Sequence, residues 1–123
     1  MPQTLFPTIR FHDARASIAW LEAALGAETL ALYEQDGRVA HAEVRIGESS
    51  LMCGDRPEGT ATSPGASVVY VVVPDADAAH ARAAAAGASP SAITEQDYGS
   101  RDFSLTDPDG NRWAVGTYGG AAA

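Results

Sequence analysis

The sequence predicts an α+β domain made of two tandem modules, each running strand, helix, strand, strand, strand. Three observations lead there. Short runs of period-2 alternation, bounded by Gly, Pro, Asp and Asn, recur along the chain, as sheets with two unlike faces require. Residues 14–25 and 76–86 have helical composition, each with an Asp at the N-cap position and a Gly at its end. Letters also repeat: Gly26-Ala27 recurs as Gly87-Ala88, and Glu34-Gln35-Asp36 as Glu95-Gln96-Asp97, both 61 positions on. A module this small cannot bury its own sheet, so two copies are expected to pair.

Taken in order, residues 5–11 alternate and carry Pro7, which predicts a first strand at or near a sheet edge. Asp13 then caps a helix with Ile18, Leu21 and Leu25 on one face, Trp20 and Leu21 packing under the sheet, and Gly26 as its stop. Residues 29–33 form a second strand, Asp36-Gly37 a hairpin turn, and 39–46 a third strand. A fourth begins at Ser50. Residues 55–66, DRPEGTATSPGA, have no periodicity and read as a linker. Residues 68–73 are nearly all Val, which predicts a strand buried on both faces. Asp75 caps an Ala-rich helix that forms by propensity rather than by an apolar stripe. Residues 93–95 make a short strand, and SLTDPDGNRWAVGTY makes a hairpin about the turn formers Asp107, Pro108, Asp109 and Gly110. Trp113 has the parity of the helix-facing core. The GGAAA tail is expected to fray.

A chain of 123 residues with 46% hydrophobic and 20% charged side chains can bury one core without staples. A net charge of −8, with eight Arg and no Lys, supplies no basic footprint, so nucleic acid and anionic membrane are excluded as partners and cationic ligands are favoured. The single cysteine, Cys53, rules out an internal disulfide and is expected to be a buried, inert thiol. The N-terminus has no basic start before a long apolar run, and no run is long enough to span a bilayer. A cytoplasmic protein is expected. No phosphate loop, zinc spacing or nucleophile elbow is present.

FHDARASIAWLEAALGAE and HAEVRIGESSLM in the first half, and YGSRDFSLTDPDGNRWAVGTY at the end, resemble the glyoxalase, bleomycin-resistance and extradiol-dioxygenase superfamily (the vicinal oxygen chelate fold), most of all its small, PhnB-like branch. The resemblance covers nearly the whole chain. It implies a single domain over residues 1–123, with module one at about 5–54, a linker at 55–66 and module two at 67–118. The two βαβββ modules would form curled mixed sheets around a cleft, in a homodimer as in many relatives. It also implies four metal-ligand positions in the active enzymes, which fall here on Phe6, Met52, Val68 and Ala114. None of these four side chains holds a divalent cation against water, so no metal and no other cofactor are expected.

By the same parity Phe6, Met52, Tyr70 and Tyr118 line the cleft as an apolar floor, suited to a small-molecule ligand that is aromatic or cationic. His41, Glu43 and Arg45 alternate on one face of the third strand, opposite Ala40, Ala42, Val44 and Ile46. That face lines the cleft or stands in water with a Glu–Arg pair; His41 and Glu43 are the polar ligand contacts and the only candidate acid and base. Tyr98 and Arg101, in the YGSRDF loop, are candidate ligand-gating residues, against the plain alternative of a turn aromatic and an exposed Arg. His12 and His80 are expected on the surface. The leading expectation is a metal-independent small-molecule binding protein that sequesters an antibiotic or metabolite. The alternative is a glyoxalase-like lyase or isomerase with an atypical site using His41 and Glu43; a third is an accessory subunit whose cleft is filled by its own side chains.

Overall fold

The computed structural model describes residues 3, 6–57 and 68–119. Leu5, most of the 55–66 linker and the last four residues lie outside the described residues. The chain divides into two compact units, Met1–Ser63 and Pro64–Ala123.

In the first unit β1 (Thr8–Phe11), α1 (Ala14–Leu25), β2 (Glu28–Gln35), β3 (Arg38–Ile46) and β4 (Ser49–Asp55) follow one another. The sheet order is β1-β4-β3-β2, with β1 parallel to β4 and the other pairs antiparallel. α1 therefore joins the two edge strands and has to cross one whole face. Its cap is as the sequence predicts: Asp13 accepts from the Ala16 N–H, and Gly26 closes the helix at φ 69°. The inward stripe is Ala14, Ser17, Ile18, Leu21 and Ala24, packed on Phe11, Val39, Ala42, Val44, Leu51 and Cys53. Trp20 is only half-buried, contrary to expectation. A helix turns 100° per residue, so a stripe centred near Leu21 leaves its neighbour at the margin.

Two bulges phase the sheet. Between Tyr33↔His41 and Glu34↔Val39 the ladder skips Ala40, and between Thr29↔Val44 and Ala31↔Glu43 it skips Leu30. Strict alternation puts Ala40 inside; the bulge instead buries Val39 and turns Ala40 out, where its carbonyl accepts from Arg10. The Asp36-Gly37 turn has both residues at positive φ, 53° and 77°, as the tightest hairpins require.

The second unit repeats the plan with β5 (Val68–Val72), α2 (Ala76–Ala85), β6 (Thr94–Glu95), β7 (Arg101–Thr106) and β8 (Arg112–Gly116), in the order β5-β8-β7-β6. Phe103, Leu105, Trp113 and Val115 are buried under α2, whose Ala76 and Ala83 are small enough to sit close. The burial predicted for both faces of the Val run is overturned. β5 ends its sheet, pairing only with β8, and Val68 and Val72 are 52% and 56% exposed. Val content shows β preference, not two-sided packing.

One carboxylate braces each unit from within. Asp55, at the end of β4, accepts from the N–H of Ala14 at 2.8 Å and of Val39 at 2.7 Å, joining helix start to strand start. Asp107 is buried at the β7–β8 turn and accepts from the N–H of Asp109 and Asn111, from the Asn111 amide, and from Trp113 Nε1 at 3.0 Å. Partial burial opposes ionisation of Asp55, but the Ala14 and Val39 N–H groups, then the Arg38 and Arg15 charges, outweigh it and hold its pKa below the usual value.

A depressed folded-state pKa stabilises the fold above the unfolded value and loses that contribution as pH falls through the folded one. Unfolding by urea should therefore show stability falling below about pH 4, and Asp55→Asn should flatten that fall while costing about 1–3 kcal/mol at neutral pH. Unchanged acid slopes would remove Asp55 from this role. Asp107→Ala strands three backbone and indole donors and should cost about 2–4 kcal/mol in the same assay; a loss under about 0.5 kcal/mol would contradict the buried hub.

Candidate functional site

Among the described residues each sheet has one helix, which packs on one face and leaves the other without a helix. On the first sheet the bare face carries Thr8 and Arg10 from β1, Met52 and Gly54 from β4, His41, Glu43 and Arg45 from β3, and Ala31 and Tyr33 from β2, because Ile9, Phe11, Leu51, Cys53, Ala42 and Val44 alternate to the helix side. His41 Nε2 lies 3.0 Å from Glu43 Oε2, both side chains about one-third exposed, and Tyr33 stacks on the imidazole at 6.1 Å between ring centres. The charged run thus pairs differently from expectation. Glu43 holds His41, whereas Arg45 reaches across to Glu28. Glu43 also stands directly opposite Met52, which is half-buried. Phe6 precedes β1 and is 38% exposed. Cys53 is buried on the helix side, and that burial pushes its thiol up to about 11, as an inert core cysteine.

On the second sheet the bare face carries Val68, Tyr70 and Val72 from β5, Arg112, Ala114 and Gly116 from β8, and Asp102, Ser104 and Thr106 from β7. Tyr70 leans along its strand over Gly116 and donates to Asp102 Oδ1 at 2.8 Å, while its phenol oxygen accepts the Tyr118 N–H at 3.2 Å. Ser100, which is buried, donates to the same carboxylate oxygen. Gly116 makes this possible: a Cβ there would collide with Asp102 Oδ1 and with the Tyr70 hydroxyl. Tyr98 and Tyr118 meet edge to face at 5.3 Å.

Tyr70, Tyr98 and Tyr118 therefore come together, and His41, Glu43 and Met52 share the other bare face. Arg101 does not join the tyrosines. Its parity sends it to the helix side, where it donates to Glu95 at 2.7 Å and to Asp77, in the first turn of α2, at 3.0 Å. The residue that reaches the bare face is its neighbour Asp102. The signal was in the sequence, since Asp102 shares parity with Ser104 and Thr106 and opposes the core residues Phe103 and Leu105.

The metal positions implied by the resemblance are Phe6, Met52, Val68 and Ala114, and in the ladders Met52 stands opposite Thr8 and Ala114 opposite Tyr70. Neither set supplies the imidazole or carboxylate donors that a divalent cation demands. Among the described residues no three His, Cys, Asp or Glu side chains converge to hold a metal. The side chains at these positions do not fit the metal.

No helix among the described residues is long and apolar enough to cross a membrane. No match was found among curated proteins. Solved structures do resemble the chain. A glyoxalase / bleomycin resistance protein from Catenulispora Acidiphila DSM 44928 is 26% identical, covering 95% of this chain and 99% of that one, with a TM-score of 0.72. TioX from Micromonospora sp. ML1 is 22% identical over 97% and 98% of the two chains, TM-score 0.77. A glyoxylase/bleomycin resistance protein/dioxygenase domain from Frankia sp. EAN1pec is 17% identical over 95% and 98%, TM-score 0.77. The family profile described as Glyoxalase/Bleomycin resistance protein/Dioxygenase superfamily matches residues 5–115, nearly the full length, and the chain belongs to that superfamily.

Proposed function

We propose that the chain is a metal-independent small-molecule binding protein of this superfamily, capturing an antibiotic or metabolite stoichiometrically as a cytoplasmic homodimer. One observation carries the reading: where metal-using relatives need donor atoms, the strands present Phe6, Met52, Val68 and Ala114, with Thr8 and Tyr70 as ladder partners of Met52 and Ala114, and the second unit brings Tyr98 and Tyr118 together. A flat ligand packs on Tyr70, Tyr98 and Tyr118, each stacked ring contributing about 0.5–1.5 kcal/mol beyond its buried area. Phe6 and Met52 supply apolar surface on the first unit, and His41 and Glu43 give directional polar contacts there. Capture needs affinity alone, and no bond is made or broken. A similar structure, 26% identical, is described as a glyoxalase / bleomycin resistance protein, and the second half of that description is compatible with sequestration. The single buried thiol suits a reducing compartment.

A second reading rests on the His41–Glu43 hydrogen bond. A carboxylate that fixes an imidazole is the arrangement of a general base, which suits a glyoxalase-like lyase or isomerase. A substrate screen in which His41→Gln abolishes turnover while leaving ligand affinity intact would favour catalysis over capture.

Elemental analysis of untagged protein, followed by titration with manganese, nickel, zinc and iron, should show no stoichiometric metal and no rise in thermal midpoint. One tightly bound equivalent per chain, lost in His41→Ala, would overturn metal independence. A thermal-shift screen of flat aromatic compounds should yield a ligand that saturates at one per chain, weakened about tenfold or more by Tyr98→Ala; saturating ligands indifferent to that change would move the site off the second sheet. Sedimentation at micromolar concentration should give twice the chain mass, and a single species of one chain mass would contradict the dimer.

A further inference from the structure

We propose that Asp102, with Ser100 and Tyr70 fixing its carboxylate and Tyr98 and Tyr118 beside it, is a recognition subsite for a protonated amine carried on an aromatic ligand. The proposal rests on the small-molecule reading above and names the ligand class for the second sheet.

The carboxylate is held in one orientation. Tyr70 and Ser100 both donate to Oδ1, and among the described residues no other group donates to Asp102, so Oδ2 is left to an incoming N–H. The Tyr70 hydroxyl is fixed in turn by the Tyr118 N–H, and Ser100 is 4% exposed. Such a network positions an acceptor before the ligand arrives, which lowers the ordering cost of binding.

The carboxylate is also un-neutralised. Among the described residues Asp102 forms no ion pair, although a guanidinium is adjacent in sequence, because Arg101 is committed to Asp77 and Glu95 on the opposite side of the strand. Arg112, a cation on the same face as Asp102, starts β8, four residues from Gly116 and so about 13 Å along the strand. A half-buried carboxylate without a counter-ion attracts one from solution, and a chain of net charge −8 reinforces the pull on a cation.

The surroundings suit an organic cation rather than a bare ion. Tyr98 and Tyr118 are 65% and 43% exposed and offer ring faces to an ammonium group or to the flat body attached to it. Desolvation, and then the Asp102 carboxylate, raise the Tyr98 phenol above its ordinary value. A carboxylate acceptor with aromatic rings beside it matches a protonated amine carried on a planar ring.

Three probes with one ring and three charges test this: tryptamine (cation), tryptophol (neutral) and indole-3-acetate (anion), titrated into the full ¹⁵N-labelled chain and followed by amide shifts. Tryptamine is expected to saturate shifts at Asp102, Gly116 and Tyr118 and to bind about tenfold or more tighter than tryptophol, with indole-3-acetate weakest. Asp102→Asn should reduce tryptamine to the affinity of tryptophol and leave tryptophol unchanged. The comparison among probes on the unmodified chain stands even if that variant folds poorly. Equal affinity for all three, or shifts confined to His41, Glu43 and Met52, overturns the amine subsite while leaving small-molecule binding intact. Binding of none overturns the subsite, and the aromatic ligand screen described above decides the broader reading separately.

Discussion

One helix can cover only one face of a four-stranded sheet, and the rest of this protein follows from that. In the first unit α1 must connect the two edge strands, which lie about 14 Å apart, and its 12 residues give a rod about 18 Å long. The helix therefore crosses the sheet and collects the apolar side chains of every second residue beneath it. The alternate residues are left on a face that no helix among the described residues covers. Phe11, Leu21, Val44 and Cys53 on one side imply Thr8, Glu43 and Met52 on the other, and Phe103, Leu105 and Trp113 imply Asp102, Ser104 and Ala114. Core and site are two phases of the same alternation.

The two bare faces share a device and differ in chemistry. In each, a side chain from the first strand lies over a glycine of the last strand and hydrogen-bonds to the third. Arg10 passes Gly54 to reach the Ala40 carbonyl, and Tyr70 passes Gly116 to reach Asp102. A Cβ at either glycine would meet the crossing side chain, so glycine here serves close approach rather than a turn. The letter repeats have counterparts too, since Gly26 and Gly87 both follow their helices at positive φ. The frame is the same in both units, while one face carries a guanidinium on a carbonyl and the other a phenol on a carboxylate.

Much of this was legible in the letters. Asp13 and Asp75 as caps, the Asp36-Gly37 and DPDG turns, and Trp113 in the core follow from local chemistry that tertiary packing had no reason to override. The family, and with it the α+β fold, were readable from the segments quoted. What failed was phase and position. The bulge that skips Ala40 is invisible to strict alternation, so Val39 was missed as a core residue. Val68 and Val72 looked buried because β preference and burial share the same residues, and sheet order, which made β5 an edge, is not a local property. Arg101 drew attention through its charge, yet Asp77 and Glu95 take that charge up, and among the described residues its neighbour Asp102 is a carboxylate with no ion pair.

The account stands on the bare face being the binding surface. Electron density from crystals grown with a saturating aromatic amine tests that most directly. The ring should lie on the exposed side of β5 and β8 against Tyr70 and Tyr98, with its nitrogen within hydrogen-bond distance of Asp102 Oδ2. Density lodged beneath α2, or a metal ion coordinated by side chains on either sheet, would contradict it.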